Sequence, residues 1–241
     1  MPELKLVSYN LHKGKNFFGR SFGFDTLNSF LKMEQFDIGF FQEVLGDHQF
    51  DKTLPHQMEL IADKKWHGHA FTRNSIVSNF DHGNSILSKH PIIEQKILNL
   101  TLHSLEKRSA IFVMLDLGST SLACICTHLN LRQKDRIKQA RLIIDFINNH
   151  IDKDTPLILA GDFNDWNGGI SHLLETEGHL SSHSLTHQTK TFPSFMPFLA
   201  LDRIYYRNIK SIDLYAGETK KFRSYSDHLP LFNTISFELN K

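Results

Sequence analysis

Two cysteines, seven prolines and no uninterrupted apolar run of about 18 residues define what this 241-residue chain is not. So few thiols rule out a disulfide-stapled scaffold. Cys124 and Cys126 lie two apart in the run Leu122-Ala123-Cys124-Ile125-Cys126, which places both on one face of a strand, where a disulfide between them is rare. No other cysteine completes a zinc site, so buried structural thiols in a reducing compartment are expected. The lack of a long apolar run excludes a transmembrane helix. Met1-Pro2-Glu3-Leu4-Lys5 also lacks the basic-then-apolar pattern of a secretory leader, so a cytoplasmic, soluble protein is the expectation. Charge of one sign is missing too: 27 Lys and Arg stand against 26 Asp and Glu, so recognition of a polyanion has to be local. No repeat, low-complexity tract or long linker divides the chain, and residues 1–241 are expected to form one domain, with a monomer and no obligate protein partner.

What is present is an ordinary globular composition, 40% hydrophobic and 22% charged, at a length sufficient for a substantial core. Short β-rich runs alternate with amphipathic stretches, which predicts an α/β fold. Strands are predicted over Leu4 to Tyr9, Ile38 to Gln42, Ser85 to Leu87, Ala110 to Leu117, Leu122 to Thr127, Leu157 to Ala160, Arg203 to Tyr206 and Leu231 to Phe237. Ile137, Ala140, Ile144, Ile147 and Ile151 recur at helical steps and predict a helix from about Gln133 to Asn148; a shorter one is predicted from Asp25 to Met33.

Polar residues able to bind a metal or phosphate recur at the C-terminal ends of the apolar runs, where a sheet can aim several side chains at one point. Asn10 follows Leu6-Val7-Ser8-Tyr9, Glu43 follows Ile38-Gly39-Phe40-Phe41-Gln42, and His128 follows Thr127. Asp162 and Asn164 follow Leu157-Ile158-Leu159-Ala160-Gly161, where the glycine is expected to allow a tight turn. A carboxylate emerging from a segment suited to burial, as Glu43 does, is costly unless a cation offsets it. Asp227 beside His228 supplies a carboxylate that can orient a titratable imidazole and keep it protonated near phosphate.

Taken in order, Tyr9-Asn10, Phe41-Gln42-Glu43-Val44, Thr127-His128-Leu129, Gly161-Asp162-Phe163-Asn164, Leu201-Asp202-Arg203-Ile204 and Ser226-Asp227-His228-Leu229-Pro230 resemble the motif set of the endonuclease/exonuclease/phosphatase superfamily. The resemblance spans residues 7 to about 232 and is specific for the superfamily while nearly silent about substrate. It implies a four-layered, deoxyribonuclease-like α/β sandwich, with two packed mixed β-sheets flanked by helices and the site at one end. It further implies a Mg²⁺-dependent phosphodiesterase, with Mn²⁺ as a substitute. Glu43 would be the principal metal ligand, with Asn10 and Asp227 completing the shell. Asp162 would orient or deprotonate water and Asn164 would bond the phosphate. His228, held by Asp202, would stabilise phosphoryl oxygens, and His128 would act as phosphate clamp or leaving-group acid. Gly83-Asn84-Ser85 and Glu106-Lys107-Arg108 also resemble family blocks and suggest Asn84 and Arg108 as contacts to the substrate phosphate.

Asn10-Leu11-His12-Lys13-Gly14 departs from the nuclease pattern, which carries an acidic residue where His12 stands. It is closer to a bacterial branch related to domains implicated in lipid remodelling of glycosylphosphatidylinositol anchors. Lys13, Lys15, Arg20, Lys107, Arg108, Arg132 and Lys134 could form a track for DNA or RNA, the substrate slightly favoured. Phe192-Pro193-Ser194-Phe195-Met196-Pro197-Phe198-Leu199 could instead be an apolar rim for a phospholipid or sphingolipid head group; inositol phosphates belong to the same alternative. An inactive binding module is disfavoured by the intact polar set.

Overall fold

Apolar residues in the predicted strands alternate between two faces, and in the computed structural model both faces are covered. The structure describes residues 3–20, 35–48, 66–77, 79–104, 106–183, 186 and 188–237; the predicted helix from Asp25 to Met33 lies outside them. The first sheet contains β1 (Glu3–Asn10), β2 (Ile38–His48), β3 (Gly68–Phe71), β4 (Ser75–Val77), β5 (Phe80–Ser88), β12 (Lys210–Ala216) and β13 (Leu231–Ser236). Its order is β12-β13-β1-β2-β5-β3, with β4 also paired to β5. The second contains β6 (Ile92–Asn99), β7 (Ser109–Asp116), β8 (Ser121–His128), β9 (Leu157–Asp162), β10 (Ser181–Ser182) and β11 (Asp202–Arg207), in the order β10-β11-β9-β8-β7-β6. Helices α1 (Gln133–His150), α2 (Ser171–Thr176) and α3 (Thr219–Phe222) complete the described elements, with a 3₁₀ turn at His12–Gly14. The architecture is an α/β sandwich of two mixed sheets.

Period-two alternation explains why the central strands read as unbroken apolar runs. Ile111, Val113, Cys124, Cys126, Ile158 and Ala160 meet Leu6, Ile38, Phe40 and Ile86 between the sheets. Their neighbours Phe112, Ala123, Ile125, Leu157 and Leu159 face outward and pack under Ala140, Ile143, Ile144 and Ile147 of α1. Both cysteines are therefore buried on the inter-sheet face and unbonded. The far face of the first sheet buries Val7, Tyr9, Phe41 and Phe232 beneath Phe36, Phe222 and Leu229.

Five strands, β3, β4, β6, β10 and β12, fall outside the predicted runs, and the edge strands β6 and β12 show why. Glu94, Gln95 and Lys96 are exposed along β6, and only Leu214 of β12 is buried, so neither carries the alternating signal of a half-buried strand. Polar and charged residues at sheet edges discourage pairing with another chain.

Two parallel pairs position the site. β1 runs beside β2 with Asn10 opposite Gln42, and β8 runs beside β9 with His128 opposite Asp162. β11 pairs antiparallel to β9 with Asp202 opposite Asp162. Strand ends that are remote in sequence thereby reach one rim of the sandwich.

Candidate active site

Register places His128, Asp162 and Asp202 in one row across three neighbouring strands of the second sheet. Gly161 is part of β9 rather than of a turn: a Cβ there would lie 1.9 Å from the Thr127 carbonyl oxygen, so the residue permits β8 to approach closely one step before the aspartate. Asn164, at φ 50°, turns the chain back after the strand, and its backbone N–H donates to Asp162 Oδ1 at 2.9 Å.

The other oxygen of Asp162 is the centre of the arrangement. Asn10 Nδ2 donates to Oδ2 at 3.0 Å, His128 Nε2 lies 3.4 Å from it and His228 Nε2 lies 3.6 Å from it. His228 Nδ1 donates to Asp202 Oδ2 at 2.8 Å, which also accepts from Thr191 Oγ1 at 2.5 Å. All of these side chains are buried. Burial pushes the Asp162 carboxyl up, to about 6, against the opposing pull of His228; neighbouring Asp202 adds to the rise. Burial alone would lower His228, but Asp202 and then Asp162 reverse this and raise it to about 10, so this imidazole is protonated at neutral pH.

His128 is in the opposite state. Burial, and then the guanidinium of Arg108, hold it well below the ordinary histidine range. Arg108 Nη1 lies 3.1 Å from His128 Nδ1, so this nitrogen accepts and the proton resides on Nε2, toward Asp162. Arg108 also donates to Glu106 Oε1 at 3.0 Å.

Glu43 lies within β2, not after it. The register between β2 and β5 shifts between Phe41 and Val44, and Glu43 sits in that bulge at φ 53°, which re-aims its side chain. Its Oε1 stands 4.0 Å from His128 Nδ1, and its Oε2 accepts a hydrogen bond from the Lys13 ammonium. That contact, with the charge of Lys13, lowers the Glu43 carboxyl although burial opposes it. Asp227 Oδ1 lies 3.3 Å from His12 Nδ1, and the His12 backbone N–H donates to Asn10 Oδ1 at 3.0 Å. Ser226 Oγ ties this segment to β1 by donating to the Asn10 carbonyl at 2.6 Å.

Of the residues singled out from sequence, Asn10, His128, Asp162, Asn164, Asp202 and His228 thus surround one carboxylate. Glu43 and Arg108 join through His128, and Asp227 through His12. Asn84 stands apart: its Nδ2 donates to the Ser109 carbonyl at 2.8 Å, and its buried Oδ1 has no hydrogen-bond partner. Asn164 spends one of its two side-chain N–H bonds on the Leu129 carbonyl at 2.9 Å. Residues that the motifs did not single out include Thr191, which bonds Asp202, and Asp165, buried against Arg203 at 2.9 Å and Arg136 at 3.6 Å behind the Asn164 loop. The adjacency of Asp165 to the Gly-Asp-Phe-Asn motif was the one local hint. His82, buried on β5 and lowered to about 4 by burial, senses the charge of Glu43 and carried no such hint.

Among the described residues, Asp162, Asp202 and His228 form the one group of three His, Cys or carboxylate side chains whose donor atoms all lie within 4.8 Å, a geometry able to hold a cation. Glu43 and Asp227 fall outside that group.

A row of buried acid and imidazole groups thus lies at the rim of two packed sheets, and comparison with known proteins gives the family in which such a site is set. Residues 7–228 match the Endonuclease/Exonuclease/phosphatase family, to which this chain belongs. It is 30% identical over 238 residues to the uncharacterized protein YbhP of Escherichia coli (strain K12), covering 94% of each chain. An endonuclease/exonuclease/phosphatase structure from Beutenbergia cavernae superposes with a TM-score of 0.79 at 18% identity, covering 98% of this chain and 72% of that one. The human Nocturnin catalytic domain with bound sulfate gives 0.72 at 20% identity, covering 98% and 95%. Humanized D. rerio TDP2 gives 0.74 at 16%, covering 97% and 99%; these structures share the fold. No helix among the described residues is long and apolar enough to cross a membrane.

Proposed function

We propose that the protein is a divalent-metal-dependent phosphodiesterase that hydrolyses its ester by direct attack of water. The observation that carries this is the convergence on Asp162 Oδ2 of three nitrogens in distinct states: a carboxamide N–H from Asn10, a neutral imidazole N–H from His128 and an imidazolium N–H from His228.

Asp162, with a carboxyl near 6, is ionised at neutral pH yet basic enough to take a proton from an attacking water. The new bond is water oxygen to phosphorus, the bond broken is phosphorus to the leaving ester oxygen, the water proton goes to Asp162, and the leaving oxygen departs with the bonding pair as an oxyanion that takes its proton from solvent. His228 presents a charged donor to the phosphoryl oxygens on which negative charge accumulates, and Asp202 keeps it protonated and oriented. His128, neutral with its proton fixed on Nε2 by Arg108, acts as a phosphate clamp better than as a leaving-group acid. We assign the second side-chain N–H of Asn164 to the same phosphate.

The metal is assigned to Glu43, Asn10 and Asp227 rather than to the Asp162, Asp202 and His228 cluster. A protonated His228 has no lone pair for a cation, and its own charge already balances the two aspartates. Glu43 already meets a positive charge, the ammonium of Lys13, and the oxygen-only donor set suits Mg²⁺, with Mn²⁺ as a substitute. When bound, the ion would supply Lewis-acid polarisation of a phosphoryl oxygen.

Purified protein with MgCl₂ is expected to hydrolyse bis-p-nitrophenyl phosphate, and EDTA to abolish this. Glu43→Ala, Asp162→Asn and His228→Ala should each remove turnover while leaving the circular dichroism spectrum unchanged. Wild-type turnover by all three would refute the assignment.

A further inference from the structure

Two loops meet beside the site and carry side chains that hydrolysis does not use. One follows the 3₁₀ turn and holds Phe17 and Phe18; the other runs from Phe192 to Leu199. The rings of Phe17 and Phe195 are 4.6 Å apart between centroids, and Phe18 lies 5.5 Å from Phe17 and 6.3 Å from Phe195. Phe18 is 73% exposed, Met196 63% and Phe198 57%. The second loop is fixed to the site, since Ser194 N donates to the Asp227 carbonyl and Ser194 Oγ to the Ser226 carbonyl, each at 2.7 Å. Phe192 also packs 5.0 Å from the His228 ring. Lys15 and Arg20, both exposed, flank the two phenylalanines of the first loop.

Single exposed apolar side chains are ordinary, whereas a contiguous group at a site rim marks a contact surface. Ring geometry and charge select the partner. Phe17 packs edge to face on Phe18 at 87° and tilted by 59° on Phe195, while Phe18 and Phe195 are tilted by 34°, so the three rings close on one another as a cluster instead of lining up as a row of parallel platforms for successive bases. A knob of rings and a thioether, bordered by cations, matches the boundary between acyl chains and anionic head groups.

We propose that this aromatic apex docks the protein on an anionic phospholipid bilayer, and that the ester presented to Asp162 belongs to a lipid at that surface. The substrate assignment rests on the hydrolytic function proposed above; the docking does not.

The test is co-sedimentation of the full chain with vesicles of phosphatidylcholine alone or mixed equally with phosphatidylglycerol. Wild type is expected to pellet with the anionic vesicles. Phe18→Ser/Met196→Ser should lower the partition coefficient by about tenfold or more, because two apolar side chains no longer insert. Lys15→Glu/Arg20→Glu should abolish the preference for anionic vesicles. Both double variants should hydrolyse bis-p-nitrophenyl phosphate at the wild-type rate, which checks folding and reads the hydrolytic proposal separately. Wild type that stays in the supernatant with both vesicles, or a Phe18→Ser/Met196→Ser variant that pellets as wild type does, would overturn the proposal. So would a variant that keeps vesicle binding but loses affinity for a labelled single-stranded oligonucleotide, since the apex would then be a base-stacking surface.

Discussion

Replacing Asp202 by Asn separates charge from shape at the centre of the site. Asp202 is fully buried, and its Oδ2 accepts from His228 Nδ1 at 2.8 Å and Thr191 Oγ1 at 2.5 Å. In the wild type, burial pulls the His228 pKa down, and Asp202 followed by Asp162 overcomes this, to about 10. The folded value exceeds the ordinary 6.5, so protonation of His228 stabilises the native state. That stabilisation is complete below pH 6.5 and is lost as pH rises through 10. In Asp202→Asn, burial loses its main opponent and the imidazole becomes neutral in the neutral range. The amide oxygen still accepts from Nδ1–H, so Nε2 is the nitrogen that loses its proton, and the donor aimed at phosphate becomes an acceptor. Breaking one partner of a buried ion pair costs about 3 kcal/mol of stability, and losing a transition-state donor costs about 10² to 10³ in kcat. The assays are urea denaturation at pH 7, kcat on bis-p-nitrophenyl phosphate from pH 6 to 10, and the ¹⁵N shifts of His228 over the same range. A variant that turns over at the wild-type rate at pH 8, with its His228 titration unmoved, would refute the reasoning.

His82 is buried with a pKa lowered to about 4, so an unfolded chain binds a proton there that the native state refuses between pH 6.5 and 4. This one group should therefore cost about 2 kcal/mol of stability on acidification from pH 7 to 4.5, while the raised Asp162 carboxyl works the other way in the same window, so the reading is the difference between variants: His82→Gln should lose about 2 kcal/mol less than wild type over that range, and an identical pH dependence would contradict it. Gly161→Ala places a Cβ 1.9 Å from the Thr127 carbonyl oxygen at φ 150°, forcing β8 and β9 apart. It should cost roughly 3 kcal/mol or more, read as a fall in Tm, and a Tm within two degrees of wild type would exclude the close approach. Burial pushes both thiols up, Cys126 to about 12, so neither should react with DTNB at pH 8 until guanidinium chloride unfolds the chain. Rapid labelling of native protein would show the inter-sheet core to be open.

Elements whose signal is local and periodic are legible in the amino-acid order alone. The apolar steps of Ala140, Ile144 and Ile147 specify α1, and the two-residue spacing of Cys124 and Cys126 assigns both to one strand face, because side-chain direction follows from backbone repeat alone. The recurrence of polar residues at the ends of apolar runs was legible for the same reason. Edge strands β6 and β12 were not, since an exposed strand has no need of alternation. Tertiary structure alone decided which atoms meet. The β9 register sets Asp162 between His128 and Asp202, and the β2 bulge turns Glu43 toward Lys13 and His128. Protonation states were likewise beyond the sequence: burial lowers both His128 and His228, but Arg108 adds to it at His128 whereas Asp202 and then Asp162 overcome it at His228. Nor does a run of phenylalanines disclose its exposure, which depends on what the rest of the chain leaves uncovered.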